Sequence, residues 1–302
     1  MKKILLISLF SILSVGMWSQ SNIRLNNYWD NLYSINPASI NNQYTAMVTI
    51  ADRKQWTGFE GAPNSVFASA SAYIEHYATQ VGVKLVRDKI GYTSTSNLGL
   101  TYAYAVTLDT EWKLNLGLSG NIHSLSYDLD QINLASADDP KVYRVLQNAN
   151  DFNTDLGFEF VSKSLLIGGS SQNFISLFAP EKNRTYPYTN FLYTMYRNLS
   201  DNMLDFGFGA NAIQNRNLYQ MELNTTAYLK NYEMEDLFKF GLFYRTKNEM
   251  GAILGANLGN SLYVSYSYDF NLGGISHSSL GTHELMLILK LGKIDNCRCL
   301  KR

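Results

Sequence analysis

The residues whose types could do chemistry are few and poorly assembled. The four histidines, His76, His123, His277 and His283, fall in separate segments, with none of the close pairing on one helix that a zinc hydrolase uses. There is no Gly-x-Ser-x-Gly elbow and no phosphate-binding loop. A hydrolase needs a nucleophile and a base facing each other. His123 near Ser124 or Ser126 is the one pairing on offer. Cys297 and Cys299, two positions apart in a short basic tail, are poorly placed for an unstrained mutual disulfide and too few for a four-ligand zinc site. They read as reactive or tail-linked thiols. The expectation is a protein with no catalytic, metal or cofactor site.

Composition points to a different kind of surface. Charged residues are 17% of the 302, below the roughly 25% of soluble domains, and 25 basic side chains balance 25 acidic ones. With no net field, nucleic acid is not an expected partner. Tyrosine is the outlier, 21 copies beside 15 Phe and 4 Trp. Such residues suit a membrane interface, ring in the apolar layer and hydroxyl in water.

The elements that could hold these residues are strands. In 261–272 Leu262, Val264, Tyr266, Tyr268 and Phe270 alternate with Ser265, Ser267 and Asp269, and in 282–292 Leu285, Leu287, Leu289 and Leu291 alternate with Glu284, Met286, Ile288 and Lys290. A Gly-rich loop with Gly273, Gly274 and Gly281 joins them into a hairpin. The same period recurs and places strands at 44–56, 64–75, 77–88, 96–108, 111–126, 152–162 and 164–174. A second set falls at 189–197, 203–213, 217–230, 237–246, 250–258, 261–272 and 282–292. Fourteen strands of about ten residues fit the roughly 9 to 11 residues that cross a bilayer when tilted.

A soluble sandwich would also alternate, but its connections need not alternate in length. In an outer-membrane barrel short periplasmic turns alternate with longer outer loops. Here the connections after strands 1, 3, 5, 7 and 13 are long or Gly-rich, and those after strands 2, 4, 6, 8 and 12 are tight; the connections at 231–236 and 215–216 depart from the rule. The predicted fold is an all-β, antiparallel, up-and-down outer-membrane barrel over 44–292 with both termini periplasmic. Residues 1–19 read as a cleaved signal peptide: Lys2 and Lys3, an apolar run from Ile4 to Val15, then small residues, with the cut after Ser19 or after Gly16. Residues 20–43, rich in Asn and Tyr and turned at Asn36, Pro37 and Ala38, form either a plug tucked into the barrel or an ordered N-terminal loop without a transport role. Residues 293–302 are a periplasmic tail.

Four pieces in order carry a family resemblance. They are Asn36-Pro37-Ala38; the run with Arg53, Gln55, Trp56, Gly58, Phe59, Gly61, Ala62 and Pro63; Asp88-Lys89-Ile90-Gly91 followed by Leu100-Thr101-Tyr102-Ala103-Tyr104; and Tyr266-Ser267-Tyr268-Asp269 followed by Gly281-Thr282-His283-Glu284. Together they resemble the PorP/SprF-like membrane proteins of the type IX secretion and gliding machinery of Bacteroidota. The match is poor over about 138–216. The resemblance implies a non-enzymatic integral outer-membrane component in contact with lipid. It would work with a periplasmic secretion-machine component or retain one secreted protein at the surface. The quoted residues would serve structure or partner contact; the alternative reading of the residues themselves is that Trp56, Phe59 and Pro63 build a rigid first loop and that Tyr266 and Tyr268 are lipid-facing anchors.

A passive transporter of small apolar compounds, resembling the long-chain fatty-acid channels, is the competing reading. Both readings require the same barrel and differ in its lumen. A transporter should line an apolar path, whereas Lys113, Asp155, Glu159, Asp205, Lys239, Arg245, Asp269 and Lys290 all fall on the inward register. Mixed charges inside a barrel pair and fill it.

Overall fold

The computed structural model describes residues 24–128, 149–179, 185–246, 249–272 and 279–294. The signal segment, His277 and the Cys297 to Arg302 tail lie outside them. Fourteen antiparallel strands close into one barrel, each paired with its sequence neighbours and the first with the last. In order they are β1 Tyr44–Lys54, β2 Asn64–Ile74, β3 Thr79–Ile90, β4 Thr93–Thr107, β5 Lys113–Tyr127, β6 Ala149–Val161 and β7 Leu165–Gln172, then β8 Thr189–Asn198, β9 Leu204–Asn215, β10 Leu218–Lys230, β11 Asp236–Arg245, β12 Glu249–Leu258, β13 Leu262–Asn271 and β14 Thr282–Lys293. Closure pairs the edge backbone groups that lipid could not satisfy. At the seam Ile50 stands opposite Leu287 and Lys54 opposite His283.

The two-residue period fixes the faces. Leu98, Leu100, Tyr102 and Tyr104 point outward on β4, as do Leu116, Leu118 and Ile122 on β5, Phe206 and Phe208 on β9, and Phe238, Phe240 and Leu242 on β11. Such a continuous apolar exterior is a surface for lipid. The intervening Asp155, Glu159, Asp205, Lys239, Arg245 and Asp269 are buried inside.

Strand bounds shift where local chemistry overrides the period. β3 starts at Thr79, because Glu75–Tyr77 form a one-turn 3-10 helix and Ala78 takes a left-handed conformation at φ 50°. The expected long connection at 89–95 is instead the tight turn at Gly91 and Tyr92. Gly91 adopts φ 56° without strain, so β3 and β4 extend almost to each other. The remaining connections sort into two rims. One joins its strands through the long connections 55–63, 128–148, 173–188 and 272–281 and also through the tight ones 91–92, 216–217 and 246–248, and the other has only the short turns 75–78, 108–112, 162–164, 199–203, 231–235 and 259–261. Tyr44 and Lys293 pair at the short-turn rim.

Residues 24–43 lie inside the barrel. They include two 3-10 turns, Asn26–Trp29 and Leu32–Ser34. Leu25, Tyr28, Trp29, Leu32 and Ile35 pack with Phe67, Leu166, Tyr193, Met286 and Ile288 of the wall into one hydrophobic cluster. An apolar core therefore exists, and it sits inside the lumen.

Candidate functional site

The inner segment descends the lumen through three sets of contacts. Near the long-loop rim, Arg24 donates to Gln220 Oε1 at 2.9 Å, and the Glu284 carboxylate accepts the backbone N–H groups of Asn26 and Asn27 at 2.6 and 2.9 Å. Glu222 accepts from the Tyr28 hydroxyl at 2.7 Å and the Trp29 indole at 2.6 Å, and is ion-paired with Arg245. Arg53 reaches Glu284 at 3.7 Å and Asp269 at 3.9 Å, while Arg245 reaches Asp269 at 3.5 Å and Asn26 Oδ1 at 2.9 Å. Charges buried this deeply are tolerable only as a mutually paired and hydrogen-bonded set.

Toward the short-turn rim, Asp30 is ion-paired with Lys239 and accepts from the hydroxyl of Tyr263, near the start of β13, at 2.9 Å. The Tyr33 ring lies 5.5 Å beneath the Lys84 ammonium, which also bridges to Asp155 at 3.3 Å. Against the middle of the wall, Asn36 donates to the Phe158 carbonyl at 3.0 Å and the Tyr193 hydroxyl at 2.8 Å, and its own oxygen accepts the Ala38 N–H at 2.9 Å. Ser170 donates to the Ile35 carbonyl at 2.8 Å, and Gln80 binds both the Ser39 carbonyl and the Asn41 N–H.

Glycines in the wall make this approach possible. Gly117 and Gly157 stand opposite each other on β5 and β6. A Cβ on Gly117 would lie 2.3 Å from the Ala38 nitrogen, and one on Gly157 would lie 1.8 Å from Asn36 Oδ1. Asn36-Pro37-Ala38 therefore rests on a two-glycine step. Gly82 admits the Tyr33 hydroxyl and Gly209 the Trp29 ring in the same way.

The other expected residues converge at the long-loop rim. The backbone N–H of Gln55 donates to the Pro63 carbonyl at 2.9 Å and closes the 55–63 loop; its side-chain oxygen accepts from Arg53 at 2.8 Å. Thr57 exchanges hydrogen bonds with Gly281 and Leu280, the Trp56 N–H reaches Thr282 Oγ1 at 3.4 Å, and Gly91 donates to the Gly61 carbonyl at 3.0 Å. The stretches around Trp56 to Pro63, Asp88 to Gly91 and Gly281 to Glu284, far apart in sequence, thus form one rim surface, with Gly58 at φ 102° and Phe59 exposed. The wall divides their side chains. Asp88 points inward and accepts from Ser65 at 2.6 Å, as Asp269 and Glu284 point inward. Lys89 points outward, 4.0 Å from Asp128. Tyr266, Tyr268 and His283 form an outward cluster, with the Tyr266 oxygen 2.6 Å from His283 Nδ1 and the Tyr268 hydroxyl donating to the Leu280 carbonyl at 2.9 Å. Among the described residues no group of three His, Cys, Asp or Glu is placed to hold a metal ion.

The short-turn rim is stapled by charge. Arg197 lies between Asp205 at 3.0 Å and Asp236 at 2.5 Å and stacks 3.9 Å from the Tyr228 ring. Lys230 bridges to Asp205 at 2.7 Å, and Lys293 of β14 is ion-paired with Glu235 of the 231–235 turn. Sequence reasoning did not single out Glu222, Tyr28, Trp29, Asp30 or the wall glycines. The mid-strand glycines were the available signal, since glycine weakens a strand unless another backbone must come close.

With this geometry in hand, comparison with known proteins is decisive on one point: the family described as type IX secretion system membrane protein PorP/SprF matches residues 18–289. The chain belongs to that family. The outer-membrane barrel of this PorP/SprF protein is similar in fold to the Ralstonia pickettii toluene transporter TbuX, at 9% identity and a TM-score of 0.51, over 86% of this chain and 92% of that one. A Pseudomonas aeruginosa FadL homologue aligns at 10% identity and a TM-score of 0.45, over 84% of this chain and 91% of that one. The search of curated proteins found no match.

Proposed function

We propose that this type IX secretion component works without catalysis, through protein contacts, in the secretion or surface retention of a partner protein. The carrying observation is the N-terminal segment held inside the lumen. Residues 24–43 are tied to the wall from Gln220 and Glu284 to Gln80, so the barrel is a fixed body that offers its two rims. In this reading the short-turn rim, with Tyr44 and Lys293, faces the periplasm and docks a machine component. The long-loop rim, with the convergent 55–63, 88–91 and 281–284 stretches, faces outward.

The tail supports the docking side. Arg298, Lys301 and Arg302 against Asp295 leave the tail net positive beyond the Lys293–Glu235 pair, a charge screened beyond roughly 8 Å in physiological salt. Crosslinking from Cys299 in intact cells should capture a periplasmic protein. The decisive test removes residues 295–302 and replaces Glu233, Met234 and Glu235 with glycine, sparing Asp236 because it holds Arg197. The barrel should keep its heat-modifiable mobility while surface display of the partner falls. Normal display in that variant sinks the docking idea.

A transporter of small apolar compounds is the second reading, favoured by the fold likeness to the Ralstonia pickettii toluene transporter. Against it, the Glu222–Arg245, Arg53–Glu284 and Asp30–Lys239 pairs place buried charge in the lumen, where a transporter of apolar compounds would want an apolar lining. Uptake of toluene that disappears on gene deletion, with surface proteins unchanged, would favour the transporter.

A further inference from the structure

On the outer wall at the long-loop end, the lipid-facing pattern changes row by row. Leu287, Ile50, Ala68, Leu85 and Leu98 stand in cross-strand register from β14 to β4 and make an apolar row. Two residues nearer the rim, Asp52, Val66 and Arg87 share the next row. Two more bring Tyr268, His283, Lys54, Asn64 and Lys89 onto a third, with Asn64 between the two lysines. Lys54, Asn64, Arg87 and Lys89 are all exposed. Among the described strand residues the one other exposed cation is Lys293, at the opposite rim and ion-paired with Glu235.

A lysine or arginine on a lipid-facing strand lays its stem along the apolar surface and lifts its charged head into the headgroup layer. Tyr268, in the same row as the lysines, is of the residue type that sits at that layer. Adjacent strands are about 4.8 Å apart, so the two lysine backbones are about 10 Å apart across Asn64, and both ammonium groups can close on one small anion. Competing carboxylates are few. Asp128 lies 4.0 Å from Lys89 in an exposed and therefore weak pair, and Asp52 shares a row with Arg87 two strands away. Lys54 and Arg87 make no ion pair with a described residue. These cations stand on the wall itself, directly above the apolar row, and not on the loops where a docking protein would meet them. An anion that meets them there and also covers that row carries acyl chains.

We propose that this face of β1 to β3 is a binding site for the phosphate of a membrane lipid. Lys54, Lys89 and Arg87 supply the charge, Asn64 donates between the lysines, and the acyl chains lie over Ile50, Leu85 and Leu98. The site is independent of the role in secretion and of which rim faces the periplasm.

The test is native mass spectrometry of the full chain released from neutral-detergent micelles, with phosphatidic acid and diacylglycerol of the same acyl chains as probes. Only the phosphate distinguishes them. Phosphatidic acid should saturate at one site per chain, and diacylglycerol should bind at least about tenfold more weakly. Lys54→Gln with Lys89→Gln should weaken phosphatidic acid about tenfold, while Lys163→Gln with Lys293→Gln, which removes the same charge from the other rim, should leave it unchanged. Arg87→Gln should weaken it several-fold and serves if the first pair loses heat-modifiable folding. Equal binding of the two lipids overturns the proposal, as does unchanged affinity in both folded variants or an equal loss in the control pair. Displacement of the lipid by inorganic phosphate at equal concentration would assign the cations to a free anion, and displacement by a decapeptide of glutamate would assign them to an acidic protein segment; either result overturns it too.

Discussion

Adding one methyl group to the wall at Gly117 should release the inner segment without opening the barrel. The Cβ of Gly117→Ala would fall 2.3 Å from the Ala38 nitrogen and 2.4 Å from the Pro37 carbonyl carbon. These are backbone atoms, which cannot swing aside as a side-chain tip can. The segment must lift, and lifting it breaks the Asn36 bonds to Phe158 and Tyr193 and the Ser170 bond to Ile35. Three buried hydrogen bonds at about 1 kcal/mol each give a loss of about 3 kcal/mol. Local opening should then be roughly 100-fold more populated, at about 1.4 kcal/mol per factor of ten. Hydrogen exchange of the amides in 31–41, followed by mass spectrometry in micelles, reads this directly. Gly120→Ala is the control, because its Cβ would meet Phe152 at 3.5 Å, an ordinary contact. Equal exchange in the two variants would refute the claim that the two-glycine step seats the segment.

Three further outcomes test other parts of the reasoning. Phe208 is 56% exposed on the outer face of β9, so Phe208→Arg should cost about 2 to 4 kcal/mol in lipid and reduce heat-modifiable folding, whereas Phe208→Leu should not; equal folding of the two would reverse the assigned faces. Glu222→Gln keeps an acceptor for Tyr28 and Trp29 but leaves Arg245 short of its closest carboxylate, so thermal unfolding should shift down by the equivalent of about 3 kcal/mol, the low end for a broken buried pair because Asp269 and Glu249 remain nearby. An unshifted transition would mean that the cluster does not stabilise the barrel. Gly281→Val meets both a backbone at φ 89° and the Tyr268 hydroxyl at 2.6 Å, so it should free the 55–63 loop and make it protease-sensitive; intact resistance would show that Thr57 does not depend on Gly281.

The barrel was readable in the sequence because the wall obeys a single rule. Each strand has lipid on one side and the lumen on the other, so Leu98 to Tyr104 and Phe206 to Phe208 announce their face by period alone. Strand ends were less readable, since Gly91 decides by its backbone freedom whether 89–95 is loop or ladder. The inner segment carries no period, and its partners Glu222, Glu284, Gln80 and Ser170 come from four different strands. Only folding reveals that Asn36-Pro37-Ala38 is matched to Gly117 and Gly157. Likewise the sequence orders the stretches around Trp56, Asp88 and His283, but only closure of β14 on β1 makes them neighbours.

The path of the inner segment bears on how the molecule is assembled. Arg24 lies near the long-loop end of the lumen beside Gln220, and the chain runs down to Tyr44 before β1 climbs back as the last partner of β14. Pushing Tyr28, Trp29 and Arg24 through a finished barrel would mean dragging bulky and charged groups past Gly117, Gly209 and the buried ion pairs. Zipping β1 to β14 around a segment already gripped by Glu284 requires no such passage. The wall would then be cast around its own filling, with the β1–β14 seam as the final joint. A synthetic peptide of residues 24–43 should accordingly fail to restore native thermal stability to a preformed barrel that lacks it, and succeed only when present during refolding.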